Sequence, residues 1–124
     1  MKIEVSLGEL VDKLTILSIK LDKIRDGKKL ANIRREFDLL QGEMRAAGIS
    51  EDFPEYQRLL SINLRLWDIE DRIRALEAAK TFDDDFISLA RSVYLENDQR
   101  AAVKREINLK FGSDLIEEKQ YTAY

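Results

Sequence analysis

A chain of 124 residues is long enough for one buried core and too short for two independent ones. Its 44% hydrophobic and 36% charged residues, with one Pro and five Gly, favour long solvated helices over a β-sandwich or a disordered tail. The lack of Cys and His excludes disulfides, thiol nucleophiles, thiolate metal sites and the commonest general base, and a net charge of −3 from interspersed signs leaves no basic field for nucleic acid phosphates.

Met1-Lys2-Ile3-Glu4 leads straight into structured-looking sequence, without the apolar core of a signal peptide. Near the start the longest uncharged stretch, Leu14 to Ile19, is six residues, far short of a membrane span. The expectation is a cytoplasmic protein with neither membrane nor nucleic acid as partner.

Ser6, followed by Glu9 three residues on, forms a capping box ahead of an apolar run, Leu7, Leu10, Leu14, Leu17 and Leu21. This spacing predicts a helix over about 6–26, ended by Gly27 in a left-handed conformation. A second run, Leu30, Ile33, Phe37, Leu40, Met44 and Ala47, predicts a helix over 29–47, stopped by Gly48. Two heptad-like helices joined by so short a turn fold back as an antiparallel, coiled-coil-like hairpin. Val11, Ile16 and Ile19 lie off the main seam of this hairpin, so its apolar flanks need cover from the later helices, a second copy or another protein.

Ser50-Glu51-Asp52-Phe53-Pro54 combines capping side chains with a proline suited to a first helical turn. The third helix, over 53–80, carries Leu59, Ile62, Leu66, Ile69, Ile73 and Leu76, with Tyr56 and Trp67 beside the seam. Asp83, Asp84 and Asp85 meet the positive end of the dipole of a fourth helix, over 83–111. Gly112-Ser113-Asp114 then breaks the pattern, and Ser113 is placed to cap a short last helix over 115–119. Acid–base pairs four residues apart predict surface ion pairs within helices: Glu9 with Lys13, Asp68 with Arg72, Glu70 with Arg74, Glu96 with Arg100 and Glu106 with Lys110. The whole, residues 1–124, reads as one all-α domain: an antiparallel bundle of two helical hairpins with a short C-terminal helix.

Three stretches carry a resemblance: Glu4-Val5-Ser6-Leu7-Gly8-Glu9-Leu10-Val11-Asp12-Lys13, Leu66-Trp67-Asp68-Ile69-Glu70-Asp71, and Asn97-Asp98-Gln99-Arg100-Ala101-Ala102-Val103-Lys104-Arg105-Glu106-Ile107-Asn108. Over nearly its whole length the chain resembles a bacterial family of small proteins carried as a domain of unknown function. The resemblance implies a free-standing helical bacterial protein and brings no assigned activity or catalytic residue.

One feature departs from a plain amphipathic pattern. On the fourth helix Phe86, Ala90, Val93, Ala101 and Phe111 share a stripe with Asn97, Arg100, Lys104 and Asn108; on the third, Asn63 and Glu70 sit among Leu59, Leu66 and Ile73. If the two helices are antiparallel about a turn near 80–82, Asn63 comes level with Arg100, and Glu70 lies within about two turns of Asn97. Groups of this kind must pair, reach water or hold a ligand. Asn63, Glu70, Asn97, Arg100, Lys104 and Asn108 are therefore the candidate ligand-binding residues. The choice lies between a register-setting seam and a small-anion site in which Arg100 forks onto a carboxylate or phosphate and Lys104 adds a point charge.

No catalytic residue, metal-ligand set or cofactor is assigned. A non-enzymatic interaction or adaptor protein, associating with itself or with another protein, is the expected function. The alternative is an all-α metal-dependent nucleotide hydrolase, for which Glu70, Asp71, Glu96 and Asp98 are the acids near the seam.

Overall fold

A computed structural model describes residues 1–124 and places four helices in the order α1 (Leu7–Lys23), α2 (Gly27–Ala46), α3 (Pro54–Ala78) and α4 (Asp84–Lys110), with no strand. α1 with α2, and α3 with α4, form two antiparallel hairpins. Lys13 meets Glu36 at 3.3 Å across α1 and α2. Lys110 with Glu55 (2.7 Å), Arg58 with Glu106, and Arg65 with Glu96 (3.0 Å) tie α3 to α4, each pair nearly equidistant from the turn at 79–83.

The helix ends follow local chemistry. Ser6 Oγ accepts from the Glu9 amide (3.2 Å), and Asp83 Oδ1 accepts from the Phe86 amide (3.1 Å). Gly48, with φ of +81°, ends α2 as expected. Gly27 does not end α1. The chain turns out at Ile24, which is extended, and Asp26 caps α2 by accepting from the Lys29 amide (3.0 Å), so Gly27 is the first residue of that helix. Pro54 opens α3 at its first turn, but Phe53 occupies the cap position and makes no side-chain cap. Ser50 Oγ instead bonds the Asp52 amide within the preceding turn (3.2 Å).

The short C-terminal helix is not formed; residues 115–124 carry neither helix nor strand. Five residues cannot offset the cost of helix nucleation without packing. The segment runs back along α4 instead, where Glu117 meets Lys104 at 3.5 Å, Glu118 meets Arg105 at 2.8 Å, and the Tyr124 hydroxyl donates to Asp98. Tyr124 also stands edge-on to Tyr94, with ring centroids 5.2 Å apart.

Packing centres on α1, the one helix that touches all three others; the backbone of α2 approaches α1 alone. Val11 and Leu14 of α1 join Met44, Ile49, Tyr56, Leu59, Ile62, Val103 and Ile107 in a single core. The flank expected to leave the first hairpin greasy is closed by α3 and α4: Val11 and Ile19 are buried and Ile16 is half-buried. The uncovered apolar surface lies elsewhere. At 25 and 27 residues, α3 and α4 outrun the 17-residue α1, and between Ile69 and Asn97 only Ile69 and Leu89 are buried. This distal arm of the α3–α4 hairpin exposes Phe82, Ile87, Tyr94 and Leu95.

The turn at the tip of the arm carries a backbone cost. Lys80 has φ of +54°, the left-handed region in which a Cβ crowds the following carbonyl, and its side chain makes only an exposed 3.9 Å contact with Glu77. Replacing Lys80 with Gly removes that crowding and is expected to raise unfolding stability by about 1 kcal/mol. Urea denaturation of the two proteins checks this, and an unchanged or lowered midpoint contradicts it.

Candidate functional site

The polar seam exists, and its organising group lies on α1. Asp12, 1% exposed, sits in the middle of the face that α1 lays across α4 and α3. A carboxylate there needs partners, because burial of an unpaired charge costs several kcal/mol. Arg100 supplies two of them as a fork, Nε donating to Asp12 Oδ1 at 2.8 Å and Nη2 to Oδ2. Asn63 supplies the third, its amide donating to Asp12 Oδ1 (2.9 Å) and to Thr15 Oγ1 (2.8 Å), while the Thr15 hydroxyl donates to the Asp12 backbone carbonyl (2.7 Å). Arg100 Nη1 also reaches Asn97 Oδ1, at 3.4 Å. The hydrogen bonds to Asp12 hold the Arg100 guanidinium above its already high ordinary pKa, so this cation is permanent.

One turn away, Lys104 Nζ is bound by Glu9 (2.7 Å) and more loosely by Glu117 (3.5 Å). Next to it Asn108 Oδ1 accepts from the Gly8 amide at 2.7 Å, and Ser113 Oγ accepts from the Leu7 amide at 3.0 Å. With Ser6 bonding the Glu9 amide, the first three amides of α1 are all satisfied by side chains, two of them from the far end of the chain. Gly8 permits this approach, since a Cβ there would lie 2.5 Å from the Lys104 carbonyl oxygen. Ser113, expected to cap a helix of its own, caps α1 across the fold.

Five of the six sequence-derived residues therefore gather along one line under or beside α1: Asn63, Asn97, Arg100, Lys104 and Asn108. Asn63, Arg100, Lys104 and Asn108 bond to α1, whereas Asn97 meets Arg100 and borders the C-terminal segment. Glu70 does not join them; its side chain is exposed and pairs with Arg74 at 3.4 Å. It stands on the rim of a groove of about 380 Å³ between α1 and α3, whose walls are Ile16, Ile19, Leu66 and Trp67 and whose floor reaches Asn63 and Arg100. Both cations of the seam are neutralised by carboxylates of the same chain, and no buried polar atom in it lacks a partner. The one buried side-chain oxygen without a hydrogen bond, Glu55 Oε2, belongs to a different cluster.

Asp12, Thr15 and Glu9 were not among the sequence candidates, although the signal was present. Gly8, Asp12, Thr15 and Ile19 share a stripe beside the leucine seam, so α1 is apolar or small over a wide face with one carboxylate inside it. Glu9 was assigned to Lys13, and the structure redistributes most of these four-apart pairs. Only Asp68–Arg72 (3.7 Å) and Glu70–Arg74 form as expected. Lys13 goes to Glu36, Arg100 to Asp12, Glu96 to Arg65, Glu106 to Arg58 and Lys110 to Glu55. Where a second helix lies alongside, a cation reaches across it in preference to bonding along its own.

The four acids considered for a metal do not converge. Glu70 pairs with Arg74, Glu96 with Arg65, and Asp98 with the Tyr124 hydroxyl, and no group of three or more acids is placed to hold a metal ion. No helix is long and apolar enough to cross a membrane.

A model described as a family of unknown function, DUF6165, matches residues 1–124. The chain belongs to that family. No curated protein and no solved structure matches it. In this DUF6165 member all three stretches that carried the resemblance contribute to the α1 junction or its groove: Glu9 and Asp12 from the first, Leu66 and Trp67 from the second, Arg100, Lys104 and Asn108 from the third.

Two outcomes follow from this geometry. Asp12→Ala leaves Arg100 half-buried without its carboxylate and strands Asn63; allowing for the partial exposure of Arg100, the expected loss is about 2–4 kcal/mol in chemical denaturation. A loss under about 1 kcal/mol contradicts the junction's importance. Acid sensitivity arises where the start of α3 meets the end of α4. A hydrogen bond from the Lys110 ammonium holds the Glu55 carboxyl below the ordinary carboxylate range, and at Glu51 the bonds from its own backbone amide, Gln41 and Arg45 outweigh the upward push of burial. Both folded-state pKa values lie below the unfolded ones, so the stability they contribute is present above the ordinary carboxylate pKa and is lost as pH falls through the lowered values. Glu55→Gln should flatten that acid limb in pH-dependent melting and leave the neutral plateau pH-independent.

Proposed function

We propose that this protein is a non-enzymatic helical interaction module of the cytoplasm, and that it works by associating with a second copy of itself through the distal arm of the α3–α4 hairpin. The observation that carries the reading is the mismatch in helix length. Apart from Ile16 and Ile19 of α1 beside Glu70 and Tyr124 against Tyr94, the two long helices have only each other for cover from Ile69 to Asn97, and in that stretch only Ile69 and Leu89 are buried. A pair of helices buries one stripe of each and leaves the flanks of that stripe wet, so an arm carrying Phe82, Phe86, Ile87, Val93, Tyr94 and Leu95 gains by adding further helices. A second arm is the simplest source, giving a four-helix arrangement across a two-fold axis.

The polar seam supports the same reading from the other side. Its cations are matched by Asp12, Glu9 and Glu117, which suits a junction that holds α1 in place more than a site awaiting an anion. Sedimentation velocity from about 1 to 100 μM should show a concentration-dependent shift from monomer to dimer. A strict monomer across that range overturns self-association.

A further inference from the structure

We propose that the α4 face formed by Asp84, Ile87, Ser88, Arg91 and Leu95 is a two-fold contact with a second copy of this chain, Asp84 of each copy meeting Arg91 of the other. The proposal rests on the self-association reading and gives it a surface and a register. These positions recur at intervals of three, four, seven and eleven residues and so share one stripe of the helix. The stripe faces away from the rest of the fold: Ile87 is 53% and Leu95 43% exposed, and with Ser92 these residues line a shallow depression along α4.

Charge decides the occupant. Most basic side chains of the α3–α4 hairpin have an acidic partner within the chain, yet Arg91 meets only the Tyr94 hydroxyl, at 3.3 Å, and Asp84 has no cation beside it. One acid and one base, seven residues apart, each without an oppositely charged partner, flank Ile87 and Ser88. A two-fold contact requires a patch to be its own complement. With the axis between Ile87 and Ser88 and the two α4 helices antiparallel, Asp84 and Arg91 are equidistant from the axis and meet twice. Large Ile87 lies against small Ser88 of the other copy, which lets the helices approach closely. Leu95 extends the apolar strip toward the turn at the tip of the other arm. A partner charged with one sign would be repelled by one half of this patch, whereas a second copy satisfies both halves.

Charge reversal in the full-length chain tests the register. By sedimentation equilibrium, Asp84→Arg and Arg91→Asp alone should each weaken self-association at least tenfold, because every dimer then holds two like-charged contacts. An equimolar mixture of the two variants should restore it, since the heterodimer again places each acid opposite a base, and so should the double variant D84R/R91D. Folding damage cannot be rescued by mixing, so recovery in the mixture separates lost pairing from lost structure. If both single variants dimerise as tightly as the unaltered chain, this face is wrong while self-association stands. If the singles are monomeric and their mixture remains so, the Asp84–Arg91 pairing is overturned. If the unaltered chain is itself monomeric to 100 μM, both readings fall.

Discussion

A single buried carboxylate governs how this chain is assembled. Asp12 sits where α1 crosses the α3–α4 hairpin, and three donors converge on it: two from Arg100 on α4 and one from Asn63 on α3. Asn63 also bonds Thr15, one turn further along α1, so both the rotation of α1 about its axis and its position along that axis are set by one pair of amide hydrogens. Apolar packing alone would tolerate a slide or a small rotation, because leucine and isoleucine fill space without demanding a direction. A carboxylate that loses its fork in a dry interface is penalised heavily, so the misplaced arrangements rise in energy more than the correct one falls. The junction is a device for uniqueness, and stability comes chiefly from the core of Leu14, Met44, Leu59 and Ile107 beside it.

Much of this was legible in the sequence. Leucines every three or four residues located α1, the capping box at Ser6 and the acidic triplet at Asp83 to Asp85 located two helix starts, and equidistance from the α3–α4 turn correctly brought Asn63 level with Arg100. What failed was the step from level to facing. Two helices that run antiparallel present several stripes, and the sequence shows which residues share a stripe but not which neighbour that stripe meets. The polar line of α4 was assigned to α3; α1 takes it, because Gly8 lets the backbone of α1 come close at Lys104 and Asn108. Glu70 failed for the complementary reason, since it stands on the outer rim of the groove beside Ile16 and Ile19 of α1, exposed to water, where it pairs with Arg74. The last helix failed on energy: Leu115 to Lys119 has helix-forming residues, but five of them in isolation cannot outweigh the ion pairs that Glu117 and Glu118 make along α4.

The mixed stripe of α4 becomes coherent once α1 is laid across it. Its polar half, from Arg100 to Asn108, lies beneath α1, where each polar group finds a specific partner. Its apolar half, Phe86, Ala90 and Val93, lies in the arm, where each residue remains half-exposed. A side chain that is apolar because it is buried should be buried, and one that needs water should not be phenylalanine. The polar half contradicts the first impression of a faulty core face and is fully explained by Asp12, Glu9 and Gly8. The apolar half is explained only if something covers it or its flanks.

That asymmetry is the physical ground for placing function in the arm. A two-helix hairpin standing alone is marginal, because it orders many residues for one shared stripe of contact. Here the proximal end is clamped by α1, so the entropy of aligning the two helices is already spent and the distal turns are held ready. Their register is reinforced by Arg65–Glu96 at the base of the arm, and at its tip Phe82 stands edge-on to Phe86, 5.2 Å between ring centroids, where the turn enters α4. An arm preorganised in this way can add further helices at low ordering cost, since neither its backbone nor its seam needs to rearrange on contact. In the proposed reading the α1 junction and the arm are one mechanism in two parts: the charged crossing fixes the proximal end of the hairpin, which would let an otherwise thin pair of helices serve as a docking edge.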